Sequence, residues 1–160
     1  MKIAYDQLDG LVGQELGPSE WLTITQPQIT TFADVTNDHY WLHVDVERAK
    51  SSPFGTTISH GFLTLAMISA LWPKLLWVTD SPMQMNAGFD RLRFTAPVPS
   101  ASRVRLAAKL LEVAPSKAGS RITVDMTMER EHEERPAFVA TMLMDIARPD
   151  GSAGHGDPNR

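Results

Sequence analysis

The chain has 160 residues, a formal net charge of −4 and no cysteine. That length supports one domain with its own core, and the lack of Cys excludes a disulfide framework, a thiolate nucleophile and a cysteine zinc site. The charges are interspersed with no basic stripe for a phosphate backbone, so no nucleic-acid partner is expected. No apolar run approaches the roughly 20 residues that span a bilayer, and the first ten residues lack a signal-peptide pattern, so no membrane segment and a cytoplasmic location are expected.

In chain order, residues 20–25 read as a short strand. After Pro27, the residues Ile29, Phe32, Ala33 and Thr36 recur at helical intervals, with Thr25 or Gln26 as cap and an end near Asn37. Residues 46–50 add a helical turn capped by Asp45, and the Ser/Pro/Gly-rich stretch 51–55 breaks it. From Gly61 the chain turns apolar on nearly every face through Leu71, which predicts a central buried helix. Past Ser81-Pro82 the period changes to that of strands, at 84–94, 103–113, 121–130 and 137–147, with turns at 115–120 and 131–136. The fold class is therefore α+β: one domain over 1–148, a curved antiparallel sheet wrapped around a long helix. A Gly/Pro/Asp-rich tail over 149–160 is expected to be flexible.

Chemistry concentrates in Phe32-Ala33-Asp34-Val35-Thr36-Asn37-Asp38-His39-Tyr40-Trp41-Leu42-His43-Val44-Asp45 and in Phe54-Gly55-Thr56-Thr57-Ile58-Ser59-His60-Gly61-Phe62-Leu63. Asp38 and His43, with four residues between them on a loop after a helix, can face one cavity and handle one water, the carboxylate taking a proton while an imidazolium gives one. The Gly61 turn places unsatisfied backbone N–H groups where a developing oxyanion can be held. On residue type alone, Asp38 is more often a loop or cap residue and His43 a satisfied, half-buried side chain.

Together these segments resemble the hydratase motif of the MaoC-like family, which includes R-specific enoyl-CoA hydratases and relatives of nodulation protein N. Phe32, Ala33, Thr36, Asp38, His43 and Asp45 match its first block, and Phe54, Gly55, Ile58, His60, Gly61 and Leu63 its second. The stretch from Gly88 to Val98 resembles a later family strand, so the likeness spans residues 8 to 147. Three positions depart from the pattern: Asn37 replaces a Gly, Tyr40-Trp41 replace Asn-Pro, and Ala87 replaces an aromatic.

The resemblance implies a hot-dog fold and a homodimer joined through its sheets. It implies Asp38 and His43 as the catalytic pair, Gly61 N–H as oxyanion donor, and Ser69 and His60 in support. Tyr40, Trp41, Phe54 and Gly55 are expected at the substrate pocket. The implied reaction is reversible hydration of a trans-2-enoyl thioester to the R-3-hydroxyacyl thioester. Coenzyme A or the phosphopantetheine of an acyl-carrier protein belongs to the substrate, and neither metal nor other cofactor is needed. The competing readings are an acyl-CoA thioesterase and an acyl-thioester-binding protein without turnover.

Overall fold

The computed structural model describes residues 1–150, so the tail expected from 149 onward lies almost wholly outside the described residues. Its elements in chain order are β1 (Lys2–Ile3), β2 (Glu15–Leu16), β3 (Leu22–Thr23), α1 (Gln26–Thr36), α2 (Trp41–Val44), α3 (Val46–Ala49), α4 (Gly61–Ala66), α5 (Ile68–Leu75), β4 (Trp77–Val78), β5 (Gln84–Phe94), β6 (Arg103–Ser116), β7 (Gly119–Arg130) and β8 (Glu133–Ala147).

The alternation in the back half becomes one antiparallel sheet of order β2-β6-β7-β8-β5, with β3 pairing the start of β6 beside β2. Successive strand residues face opposite ways, so Ile122, Val124, Met126 and Met128 of β7 and Phe138, Ala140 and Met142 of β8 all enter the same core. Leu63, Ile68, Leu71, Trp72 and Leu75 of the α4–α5 segment meet them there. This is the hot-dog arrangement, a sheet wrapped on one long helical segment.

Strand positions agree with the sequence pattern, but two strands run further than the prolines suggest. Pro115 sits inside β6 opposite Ser120, and the β6–β7 pairing continues to Ser116 and Gly119. The outer neighbours of β6, β2 and β3, pair only with residues 103, 104, 108 and 109, so no ladder needs the missing Pro115 N–H. Pro136 of β8 falls in the interrupted stretch between the Met128–Phe138 and Arg130–Glu133 pairs, where the same reason applies. The predicted strand over 20–25 shrinks to β3. A further parallel pairing, β1 with β4, carries no sequence signal, being two residues on each side.

The central helix departs from expectation in two ways. It breaks at Met67, whose N–H is shared between the Leu63 and Thr64 carbonyls at 3.3 Å each, and α5 carries Pro73 in its interior. Nor is it wrapped on every side: the sheet covers one face, while Phe62 is 68% exposed. Its near-uniform apolarity thus exceeds what this one chain buries.

Candidate active site

Asp38 is placed by the end of α1. That helix begins with a reciprocal Thr25/Gln28 capping box, has a proline in its first turn, and ends at Asn37 with φ 55°. An Asn adopts the left-handed conformation more readily than most residues, so it replaces the Gly of the family pattern at little cost. The Asp38 N–H returns to the Ala33 carbonyl at 3.1 Å, so Asp38 leaves the helix in a set direction.

His43 lies on α2, a single helical turn, rather than on the loop expected from the sequence. Its backbone N–H closes on the Tyr40 carbonyl at 2.8 Å, and Ile58 N–H donates to the Leu42 carbonyl at 3.1 Å. The side chain donates through Nδ1–H to the Ile58 carbonyl at 2.7 Å. A carbonyl only accepts, so neutral His43 carries its proton on Nδ1 and offers Nε2 as an acceptor. Burial pushes its pKa below 6.5, against the hydrogen bond to Ile58; the neighbouring His60 lowers it further and Asp38 raises it. The lowered pKa favours the neutral ring, the form in which Nε2 can accept.

His60 is 3% exposed and stacks on the His43 ring, with centroids 3.8 Å apart and planes at 26°. Its Nε2–H donates to the Asp38 backbone carbonyl at 3.0 Å and stands 3.9 Å from the Asp38 carboxylate, while Nδ1 is buried without a partner. Phe32 of α1 packs on its other side at 5.0 Å. His60 thus supports both members of the pair, one through its backbone and one through its ring.

The loop carrying Ile58 and Ser59 is tied to the stretch after β5. Ser59 N–H bonds the Val98 carbonyl and Ser100 N–H bonds the Thr57 carbonyl, each at 2.8 Å. Buried Thr64 donates to Ser59 Oγ at 3.0 Å and lies 3.2 Å from the His60 carbonyl, filling the start of α4 with satisfied polar groups. A cavity of about 350 Å³ opens here, lined among others by His43, Ser59, Gly61, Thr64, Phe94 and Val98. A Cβ on Gly61 would stand 3.2 Å from the tip of the Phe94 ring, so the missing side chain makes room for Phe94 as well as for a ligand.

Asp38, His43 and His60 each bring one side-chain atom within 4.8 Å of the others, a span that one water bridges with ordinary hydrogen bonds. The same groups suit a metal poorly. His60 Nε2 is committed to Asp38, and stacked imidazoles aim their in-plane lone pairs side by side rather than converging at the roughly 2.0–2.1 Å of zinc ligation.

The MaoC like domain family matches residues 8–134. The chain belongs to that family. Among its MaoC-like relatives, 3-hydroxyacyl-thioester dehydratase Z of Mycobacterium tuberculosis is 44% identical over 138 residues, covering 86% of this chain and 91% of the relative. Nodulation protein N of Rhizobium leguminosarum is 46% identical over 138 residues, covering 82% and 84%. Among solved structures, the R-hydratase PhaJ1 from Pseudomonas aeruginosa superposes with a TM-score of 0.71 at 24% identity, covering 86% of this chain and 82% of that one. At that identity it attests the shared MaoC-like fold.

Of the anticipated residues only His43 and Gly61 line the cavity itself, Asp38 and His60 standing beside it, and the others do not gather there. Ser69 is exposed and borders a separate hollow with Trp72, Trp77 and Asn86. Tyr40 sits edge-on to His43 at 6.1 Å but is 55% exposed, and Trp41 is covered by the Arg48 guanidinium at 4.3 Å. Phe54 is exposed, and Gly55 makes a turn with φ 68°. None of these five lines the cavity beside His43. Conversely, Thr64 and Phe94 do line it and were missed. Their only sequence signal was weak: a Thr inside an apolar helix, and an aromatic ending a strand three residues before Pro97.

Proposed function

We infer that this protein is a hydro-lyase that adds water reversibly across a trans-2-enoyl thioester, giving the R-3-hydroxyacyl thioester. The observation that carries this reading is the convergence of the Asp38 carboxylate with the His43 imidazole, whose Nε2 is left free to accept by the bond from Nδ1–H to Ile58, beside a cavity that the start of α4 also lines. The 44% identical mycobacterial dehydratase, matched over 91% of its length, supports the same assignment.

One water held by both groups loses a proton to Asp38 as its oxygen attacks C3. That proton passes from Asp38 to the free Nε2 of His43, and the charged His43 then delivers it to C2 on the same face. Oxygen and hydrogen add from one side, and the two residues end as they began. Because the groups share this proton, they titrate as a pair. Gly61 N–H, at the positive end of α4, takes up the charge that develops on the thioester oxygen. The thioester acidifies C2 itself, so positioning and electrostatics are what the protein must supply.

The substrate acyl chain is carried on coenzyme A or on the phosphopantetheine of an acyl-carrier protein, which share one thiol arm, and such thioesters put the protein in the cytoplasm. No helix among the described residues is long and apolar enough to cross a membrane. The working unit is a homodimer. In support, among the described residues β5 ends the sheet with one edge unpaired over eleven residues, and Met85, Phe89, Phe94 and Phe62 leave apolar surface exposed beside it. An open apolar edge of this length is normally covered in a native protein.

The test follows the ultraviolet absorbance of crotonyl-CoA and of a longer trans-2-enoyl-CoA, with free thiol measured in parallel. Loss of absorbance without thiol release, abolished in folded Asp38→Asn and His43→Ala, is the expected result. Thiol release would make the protein a thioesterase. Silence on CoA and carrier-protein thioesters alike would leave a binding protein and overturn the reading.

A further inference from the structure

His43 sits on an element too small to orient it. One helical turn forms few backbone hydrogen bonds of its own, and α2 contains no buried residue. The direction of the imidazole must therefore be set from outside, and two sets of bonds reach it. The first runs from the 57–58 segment: Ile58 N–H to the Leu42 carbonyl, and His43 Nδ1–H to the Ile58 carbonyl.

The second starts from Gln26, the first residue of α1. Its half-buried carboxamide donates through Nε2 to the His43 backbone carbonyl at 2.9 Å. Its Oε1 accepts from the hydroxyl of Thr57, a side chain with almost no exposure. The amide orientation follows from the partners, because reversing it would set oxygen against the His43 carbonyl. A Gln at a helix start ordinarily serves its own helix or solvent. This one also bonds groups 17 and 31 residues away, on the two segments that hold the imidazole.

We propose that Gln26, with Thr57 behind it, is a positioning residue for His43. It locks the α2 turn against the 57–58 segment so that Nδ1–H stays on Ile58 and Nε2 stays turned to the bridging water. Ile58 fixes which nitrogen carries the proton, and Gln26 fixes where the ring's own backbone lies. Without the second tie, the turn can rotate about the first and the tautomer is no longer imposed. The inference rests on the acid/base reading given above for its catalytic consequence, while its structural content stands on the hydrogen bonds alone.

The test uses the full chain and three variants. Gln26→Met keeps length and volume and removes both bonds. Gln26→Glu keeps an acceptor for Thr57 but removes the donor to His43. Thr57→Val removes only the remote end. Displacing a reacting group by about an ångström costs on the order of 10²-fold in rate, so Gln26→Met and Gln26→Glu should lower kcat by roughly that factor with KM little changed. Thr57→Val should lose less.

The readout that a merely structural role would not move is nitrogen NMR of the His43 ring. The wild type should show one neutral tautomer protonated at Nδ1, and both Gln26 variants a mixture of tautomers. A wild type that turns over enoyl-CoA, with Gln26→Met or Gln26→Glu folded and unchanged in both kcat and tautomer, would overturn the proposal. An inactive wild type whose tautomer is still lost in the variants would overturn the reaction assignment and uphold the positioning role. If Gln26→Met fails to fold, Gln26→Glu and Thr57→Val decide.

Discussion

The sheet of β5 to β8 and the layer from residue 26 to 60 are built on different principles. The sheet is specified many times over: each inward residue of β6, β7 and β8 repeats the same instruction, and a single change leaves the register set by its neighbours. The layer over it consists of α1, two four-residue helices and connecting turns, held by individual bonds such as His43 to Ile58, His60 to Asp38 and Gln26 to His43. Redundancy gives stability to the first region. Singular bonds give geometry to the second, which is why substitutions should separate the two.

The sharpest separation is expected at Asp38 and His43. Asp38→Asn and His43→Ala should each lower turnover by about 10²- to 10⁴-fold, while chemical denaturation of Asp38→Asn stays close to wild type because that side chain is half in solvent. A matching loss of stability would show that the residue serves folding instead. The opposite case is Phe138, fully buried at the centre of β8. Phe138→Ala should cost about 3–5 kcal/mol in a denaturant titration, and at temperatures where it remains folded its turnover should be affected far less than its stability.

A third expectation concerns the sheet edge. Met85→Lys combined with Phe89→Lys should shift the protein toward monomer in sedimentation, since charge on a strand edge opposes pairing. An unchanged mass would place the dimer contact elsewhere. A fourth expectation is in pH. His43 binds its proton less readily folded than unfolded. The unfolded chain therefore takes up more protons as pH falls from its ordinary value of 6.5 toward the lowered folded one, and stability drops across that window and not above it. In folded His43→Ala that part of the slope should disappear. The smallest effect belongs to Lys50, whose only ion pair among the described residues is with Glu47 three residues before it on an exposed turn. Lys50→Gln should move stability by no more than about 0.5 kcal/mol.

What was legible in the sequence divides along the same line. Ile122, Val124, Met126 and Met128 alternate too regularly to belong to anything but a half-buried strand, and the structure puts all four in the core. Pro115 and Pro136 misled because proline reports a missing N–H, and whether that matters depends on neighbours that are not local in sequence. In the site, Asp38, His43, His60 and Gly61 were found through resemblance to the MaoC-like family, and the structure brings the first three within reach of one another. The exposure of Ser69 and the covering of Trp41 were not legible, because the break at Met67 and the Arg48 cover are tertiary facts. Gln26 gave no signal, since at a helix start it looks like any other polar N-terminal residue.

The pairing of β5 with β8 slips twice, between Asn86 and Gly88 and between Phe89 and Arg91. Such bulges bend and twist a strand locally, so the outer edge of β5 is not a straight template. A nascent or refolding chain carrying a flat apolar edge recruits whatever extended segment is near. A doubly bulged edge matches poorly with most strands and best with another that bends at the same places in the reverse order, as a two-fold copy of itself does. If the proposed homodimer pairs through this edge, the irregularity would act as a filter during assembly, slowing misassociation in a crowded refolding mixture more than self-recognition. Straightening either bulge by deleting Ala87 or Asp90 should show itself first as aggregate in the test tube, before any change in the folded protein is measured.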